Sequence, residues 1–103
     1  MRKTKIICTL GPATEKTEIL RRLILKGADV FRFNMSHARH EWVRELVPRI
    51  RRLAAEADRT IALLLDTQGP AIRTGALETE YDLKRGDILE LTVRGAKASE
   101  TSR

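Results

Sequence analysis

A chain of 103 residues with 42% hydrophobic and 33% charged side chains has room for one domain at most and is too apolar to be disordered. Its 20 Lys and Arg outweigh 14 Asp and Glu, and a formal charge of +6 suits an anion-handling surface for phosphate, nucleotide or nucleic acid. Aromatics at 4% argue against the stacking platforms of single-strand nucleic-acid binders, and no apolar run approaches the ~20 residues of a membrane span.

The first strand is predicted at "TKIICTL", residues 4–10, rich in β-branched and apolar side chains and stopped by Gly11-Pro12. Its apolar run is too short for a signal-peptide core. Cys8, the only cysteine, cannot form an internal disulfide, so a reducing cytoplasm is the expected compartment and Cys8 is expected to be a buried, inert thiol. Thr14 is the predicted N-cap of a first helix, with Glu15 and Glu18 where the helix dipole favours negative charge. Ile19, Leu20, Leu23 and Ile24 follow helical spacing, and Gly27 supplies the stop.

A second strand is predicted from about Asp29 to Met35. With a period of two, Arg32, Asn34 and Ser36 share one face, while Phe31, Phe33 and Met35 share the other. A second helix, from about His40 to Ala57, carries Trp42, Leu46, Ile50, Leu53 and Ala57 along one stripe. Arg44, Arg49, Arg51 and Arg52 lie largely off that stripe, as a solvated face would, and Pro48 should bend the helix. The third strand, "TIALLLD", residues 60–66, is a near-continuous apolar run, the pattern of a parallel strand covered on both faces. Strand, helix, strand, helix, strand in this space means βαβ units and a parallel sheet. After Pro70 the character changes. "YDLKRGDILELTV" sets Leu89, Leu91 and Val93 on one face after a Lys-Arg-Gly-Asp turn, suggesting an antiparallel β-domain over residues 71–103, and the tail "GAKASETSR" should fray.

In parallel α/β folds, ligands bind beyond the carboxyl ends of the strands. The second strand ends in Arg32, Asn34, Ser36 and His37. The third ends in Asp66 and Thr67, followed by Arg73. The set offers two guanidiniums for phosphate oxygens and an amide, a hydroxyl and a carboxylate as hard oxygen ligands for alkali or alkaline-earth cations. Taken singly, Asn34 and Ser36 could cap a loop and Asp66 could begin a turn. Their combination at two adjacent strand ends favours a ligand. No zinc-type Cys/His spacing, Gly-rich phosphate loop or Ser-His-Asp arrangement is present.

The stretches "TKIICTLGPAT", "FRFNMSHARHE" and "LLLDTQGPAIRTG" resemble, in order and spacing, the N-terminal segments of the pyruvate kinase family. The resemblance runs from about Thr4 to Gly75, and "LKRGDILELT" resembles the start of that family's small inserted β-domain. It implies a (β/α)8 TIM barrel, here its first three strands and two helices over residues 1–70. The implied reaction is glycolytic phosphoryl transfer from phosphoenolpyruvate to ADP, giving pyruvate and ATP, with Mg²⁺ and K⁺, in a cytoplasmic homotetramer. Position by position, it implies that Arg32 binds substrate phosphate and that Asn34, Met35, Ser36, His37 and Arg73 contact the nucleotide. Asn34, Ser36, Asp66 and Thr67 would be the K⁺ ligands, Thr67 through its carbonyl.

The family usually has Phe where Met35 stands and Lys where Gln68 stands. Members that need K⁺ carry Glu at the position of Ala71, and K⁺-independent ones carry Lys; Ala71 supplies neither, so weaker K⁺ dependence is expected. The family's proton-donating lysine and Mg²⁺-binding carboxylates lie on later strands, and a closed barrel of this type takes ~250 residues. The chain is therefore expected to be an N-terminal fragment, inactive alone. The competing readings are a noncatalytic phosphate- or nucleotide-binding stub and a basic nucleic-acid-binding module built on the arginine-rich helix.

Overall fold

Strand β1 (Ile7–Thr9), helix α1 (Thr17–Lys26), strand β2 (Val30–Asn34), helix α2 (His40–Glu56) and strand β3 (Ala62–Asp66) follow one another in the order expected from their periodicities. The structure is a computed structural model and describes residues 2–93. The chain divides between Pro70 and Ala71 into two units.

In the first unit the three strands form one parallel sheet in the order β1-β2-β3. Ile7, Cys8 and Thr9 stand opposite Val30, Phe31 and Arg32, and β2 pairs with β3 from Val30 opposite Ala62 to Asn34 opposite Asp66. Partners in such a register point to the same side. Phe31 and Phe33 therefore enter one core with Leu20 and Ile24 of α1 and Leu46, Ile50 and Leu53 of α2, all essentially sealed from solvent. Each such side chain contributes about 1.5–3 kcal/mol relative to an exposed one. Phe33 also meets Trp42 edge to face, with ring centroids 5.8 Å apart at 80°.

Gly27 ends α1 as expected. Its φ of 109° lies in left-handed space, its N–H is directed at the carbonyls of Leu23 and Ile24, and Ala28 N–H also donates to Leu23 at 3.0 Å. Helix α2 runs unbroken through Pro48, which lies on its exposed side, where water can meet the Arg44 carbonyl left without a donor. Val43 and Ala54 join the buried stripe of α2, which packs on α1 and meets Phe33 of β2 through Trp42.

Several expectations are corrected. Helix α1 begins after Lys16, not Thr14; the Thr14 hydroxyl instead accepts the Gly11 N–H (2.9 Å) and donates back to the Gly11 carbonyl (3.1 Å), closing the turn before the helix. Glu15 consequently lies outside the first turn, which holds only Glu18. Cys8 is half-buried at the margin of the core rather than within it. Strand β3 is not covered on both faces. Only Leu63 is partly shielded, while Leu64 and Leu65 are 38% and 50% exposed, because β3 is an edge strand and helices lie on one face alone.

In the second unit the Lys-Arg-Gly-Asp turn forms: Asp87 N–H donates to the Lys84 carbonyl, Lys84 N–H donates to Asp87 Oδ2 at 2.8 Å, and Gly86 takes a φ of 100°. No strand accompanies it among residues 71–93, so the expected antiparallel β-domain is not assembled there. An isolated hairpin is marginal in water, and Leu83, Leu89 and Leu91 remain exposed. The expected fraying of residues 95–103 lies outside the described residues.

Candidate functional site

The register of β2 against β3 puts Asn34 opposite Asp66 and Arg32 opposite Leu64, on the sheet face that the helices do not cover. That face is open enough to leave the Arg32 and Asp66 side chains 29% and 47% exposed. The guanidinium reaches along the sheet rather than into solvent. Its Nε donates to Asp66 Oδ2 at 3.1 Å, its Nη2 donates to the same oxygen, and its Nη1 donates to Thr9 Oγ1 at 3.2 Å. One cation is thus held by the ends of all three strands. Thr9 was not singled out from the sequence, since only the β1–β2 register shows that it shares a face with Arg32.

Past Asn34 the chain stops being a strand. Asn34 Oδ1 accepts the Ser36 N–H at 3.2 Å, and the Asn34 carbonyl accepts His37 and Ala38 N–H at 3.1 and 2.9 Å. Asn34 therefore does cap the following loop, and the expected alternation through Ser36 ends two residues early. Met35 turns out of the strand, partly packed on the core, with its N–H donating to the Asp66 carbonyl at 3.0 Å. Asp66, far from beginning a turn, is the last residue of β3. Ser36 is half-buried, His37 and Thr67 are exposed, and Arg73 is an exposed residue of the second unit.

Beside this row lies a cleft of about 470 Å³ at the ends of β1 and β2, bounded by Leu10, Pro12, Asn34, His37, Arg39 and Trp42. Its walls are apolar and its rim polar, the usual build of a small-molecule site. Trp42 donates through Nε1 to Glu15 Oε2 at 2.6 Å, and Arg49 donates to the Glu15 carbonyl at 3.0 Å, which ties the loop before α1 to α2. Trp42 read as a core residue in the sequence because its stripe position allows either role; half-buried, it serves both core and cleft.

The opposite ends of the strands carry a clasp of a different kind. Asp29 Oδ2 accepts the Ile6 N–H at 2.9 Å, and Arg59 bonds the carbonyls of Ile24 (3.0 Å) and Ala28 (3.1 Å) and Asp29 Oδ1 (3.4 Å). The Ile6 hydrogen bond, helped by the charges of Lys5, Arg2 and Arg59, holds the Asp29 carboxyl below its ordinary range against a smaller opposing effect of burial. Both guanidiniums there are already bonded within the fold, Arg2 to the Gly27 carbonyl at 2.6 Å and Arg59 as above, so the clasp reads as structural.

The whole chain, residues 1–103, matches the family model described as the barrel domain of pyruvate kinase. It is 42% identical over 103 residues, 97% of its length, to pyruvate kinase 2 of Synechocystis sp., and 46% identical over 88 residues, 84% of its length, to a pyruvate kinase of Staphylococcus aureus. A crystal structure of a pyruvate kinase from Cryptosporidium parvum superposes with a TM-score of 0.65 at 49% identity, over 75% of this chain. The chain spans 17%, 15% and 16% of the lengths of these three proteins.

Proposed function

The chain belongs to the pyruvate kinase family, within its barrel domain, and on that premise we propose that it supplies part of the phosphate-, cation- and nucleotide-facing surface for phosphoryl transfer from phosphoenolpyruvate to ADP. The observation that carries this reading is the convergence of Arg32, Asp66 and Thr9 at the carboxyl ends of three parallel strands, beside a cleft of nucleotide dimensions. Phosphoryl transfer is governed by positioning and by neutralising charge on phosphate oxygens. Arg32, fixed on a strand rather than a loop, offers a planar donor set for those oxygens. Asn34 and His37 line the cleft where a nucleotide would enter, and we assign Met35 and Ser36, between them in the chain, to the same nucleotide.

The donor set fits a monovalent cation. Asp66 brings one carboxylate, Asn34 an amide oxygen at the register-paired position, Ser36 a hydroxyl and Thr67 a carbonyl. A lone carboxylate already paired with a guanidinium suits a single positive charge better than a double one. Bound there, K⁺ would add positive charge beside the phosphate. Mg²⁺, which is usually held by one or two carboxylates together with water and substrate phosphates, is assigned to no residue of this segment. We read residues 71–103 as the start of an inserted β-domain. A cytoplasmic, homotetrameric glycolytic enzyme is the setting this reading implies, and among the described residues no helix is long and apolar enough to cross a membrane.

The arginine-rich face of α2 favours no second reading, since Arg49 is bridged to Glu45 and Arg52 to Glu56. The test is a titration of the isotopically labelled chain. Phosphoenolpyruvate should move amide signals at Thr9, Arg32, Asn34 and Asp66, and ADP should move those at Gly11, His37, Ala38 and Trp42. The isolated chain should form no ATP from the two in a coupled assay. Shifts confined to Arg44, Arg51 and Arg52, and elicited by an oligonucleotide, would overturn the reading.

A further inference from the structure

Arg32 and Asp66 occupy one another in the positions where their proposed ligands would bind. A guanidinium grips phosphate best through an edge that presents two parallel N–H groups. The Nε/Nη2 edge of Arg32 is closed by Asp66 Oδ2, and Nη1 is drawn toward Thr9. Asp66, in turn, spends that oxygen on Arg32 and so holds a cation less strongly than a free carboxylate would. Neither group can serve its ligand fully while the pair is closed. Asp66 is nonetheless accessible, with 47% of its side chain exposed, so a cation can approach it without unfolding the strand ends.

Resting on the phosphate and cation reading above, we propose that Asp66 is a positioning residue that restrains Arg32 until a monovalent cation engages its carboxylate. The released guanidinium edge then becomes available to phosphate. Cation and phosphate binding are coupled through this one ion pair, and the coupling runs both ways: whatever factor the cation adds to phosphate affinity, phosphate adds to cation affinity. Thr9 sets the resting direction of the guanidinium without being a cation ligand. This arrangement differs from simple charge addition, in which Asp66 serves only to hold the cation and its loss weakens phosphate binding.

The experiment follows the Arg32 Nε–H signal of the labelled chain while KCl replaces tetramethylammonium chloride at constant ionic strength, with and without inorganic phosphate. K⁺ should move that signal toward the position of a solvent-exposed arginine and tighten phosphate binding about fivefold or more, within the usual range of such couplings. In Asp66→Asn the signal should start at the released position, and phosphate should bind as tightly without K⁺ as the unaltered chain binds it with K⁺. Thr9→Val, which leaves the carboxylate in place, should strengthen phosphate binding while keeping the K⁺ response, and it decides the matter if Asp66→Asn does not fold. An Arg32 signal unmoved by K⁺ while phosphate affinity rises would overturn the coupling, as would weakened phosphate binding in Asp66→Asn. Phosphate affinity unchanged in Arg32→Lys would instead overturn the underlying assignment of the phosphate site.

Discussion

Arg32 and Arg51 carry the same charge in different settings, and the contrast yields the sharpest test at the residue scale. Arg32 is a strand residue with three directed hydrogen bonds, whereas Arg51 is exposed on α2. Lysine preserves charge but not the two-pronged geometry. Arg32→Lys should therefore weaken phosphoenolpyruvate binding by about 1.5–3 kcal/mol, or about ten- to a hundredfold in Kd. Arg51→Lys should leave it unchanged, as calorimetric titration would register. Asp29 gives a pH prediction. Its carboxyl is held below its ordinary range in the folded chain, so it stabilises the fold above the unfolded carboxylate value of about 3.9, and that contribution fades as pH falls through the lower folded value. Acid unfolding followed by circular dichroism should accordingly show a shallower loss of stability in Asp29→Asn than in the unaltered chain across that window.

Elements were legible where a single segment carries its own signal. The stripe Leu46, Ile50 and Leu53 foretold α2 almost to its ends, and Gly27 foretold the end of α1. Thr14 misled because a hydroxyl that can cap a helix can equally close the tight turn ahead of it, and Gly11 was within its reach. Gly27 also makes the prediction at this scale. A side chain there would be held in left-handed backbone space and pressed against the Arg2 guanidinium. Gly27→Ala should cost about 1–2 kcal/mol, read as a lower urea midpoint with an unchanged slope. The second unit shows the limit of local signals: its Lys84–Asp87 turn formed, yet no strands are paired around it among the described residues.

At the scale of the molecule, the three-stranded sheet has helices on one face and an open face opposite. Ile7 of β1, 56% exposed, and Leu65 of β3, 50% exposed, stand on its edge strands. Unpaired strand edges beside exposed apolar side chains favour pairing with another chain. The isolated chain should therefore self-associate with rising concentration in sedimentation velocity runs. Ile7→Lys, which places a charge on an edge without touching the core, should shift the distribution toward monomer; an unaltered distribution would argue against association through β1.

Over residues 1–70 the sequence by itself determined which segments become helices and strands, most of the side chains that fill the core, and which chemical groups stand at the strand ends. Those are properties of periodicity within one segment, and the motifs around Arg32 and Asp66 carried the family as well. Only the tertiary structure decided that Arg32 would be clasped by Asp66, 34 positions along the chain, and by Thr9, 23 positions back, and that the apolar run of β3 would lie at an open edge. Register and edge position are relations between segments. The hydrophobic pattern of β3 is the same whether its neighbouring face is covered or bare, so only the assembled sheet could tell the two apart.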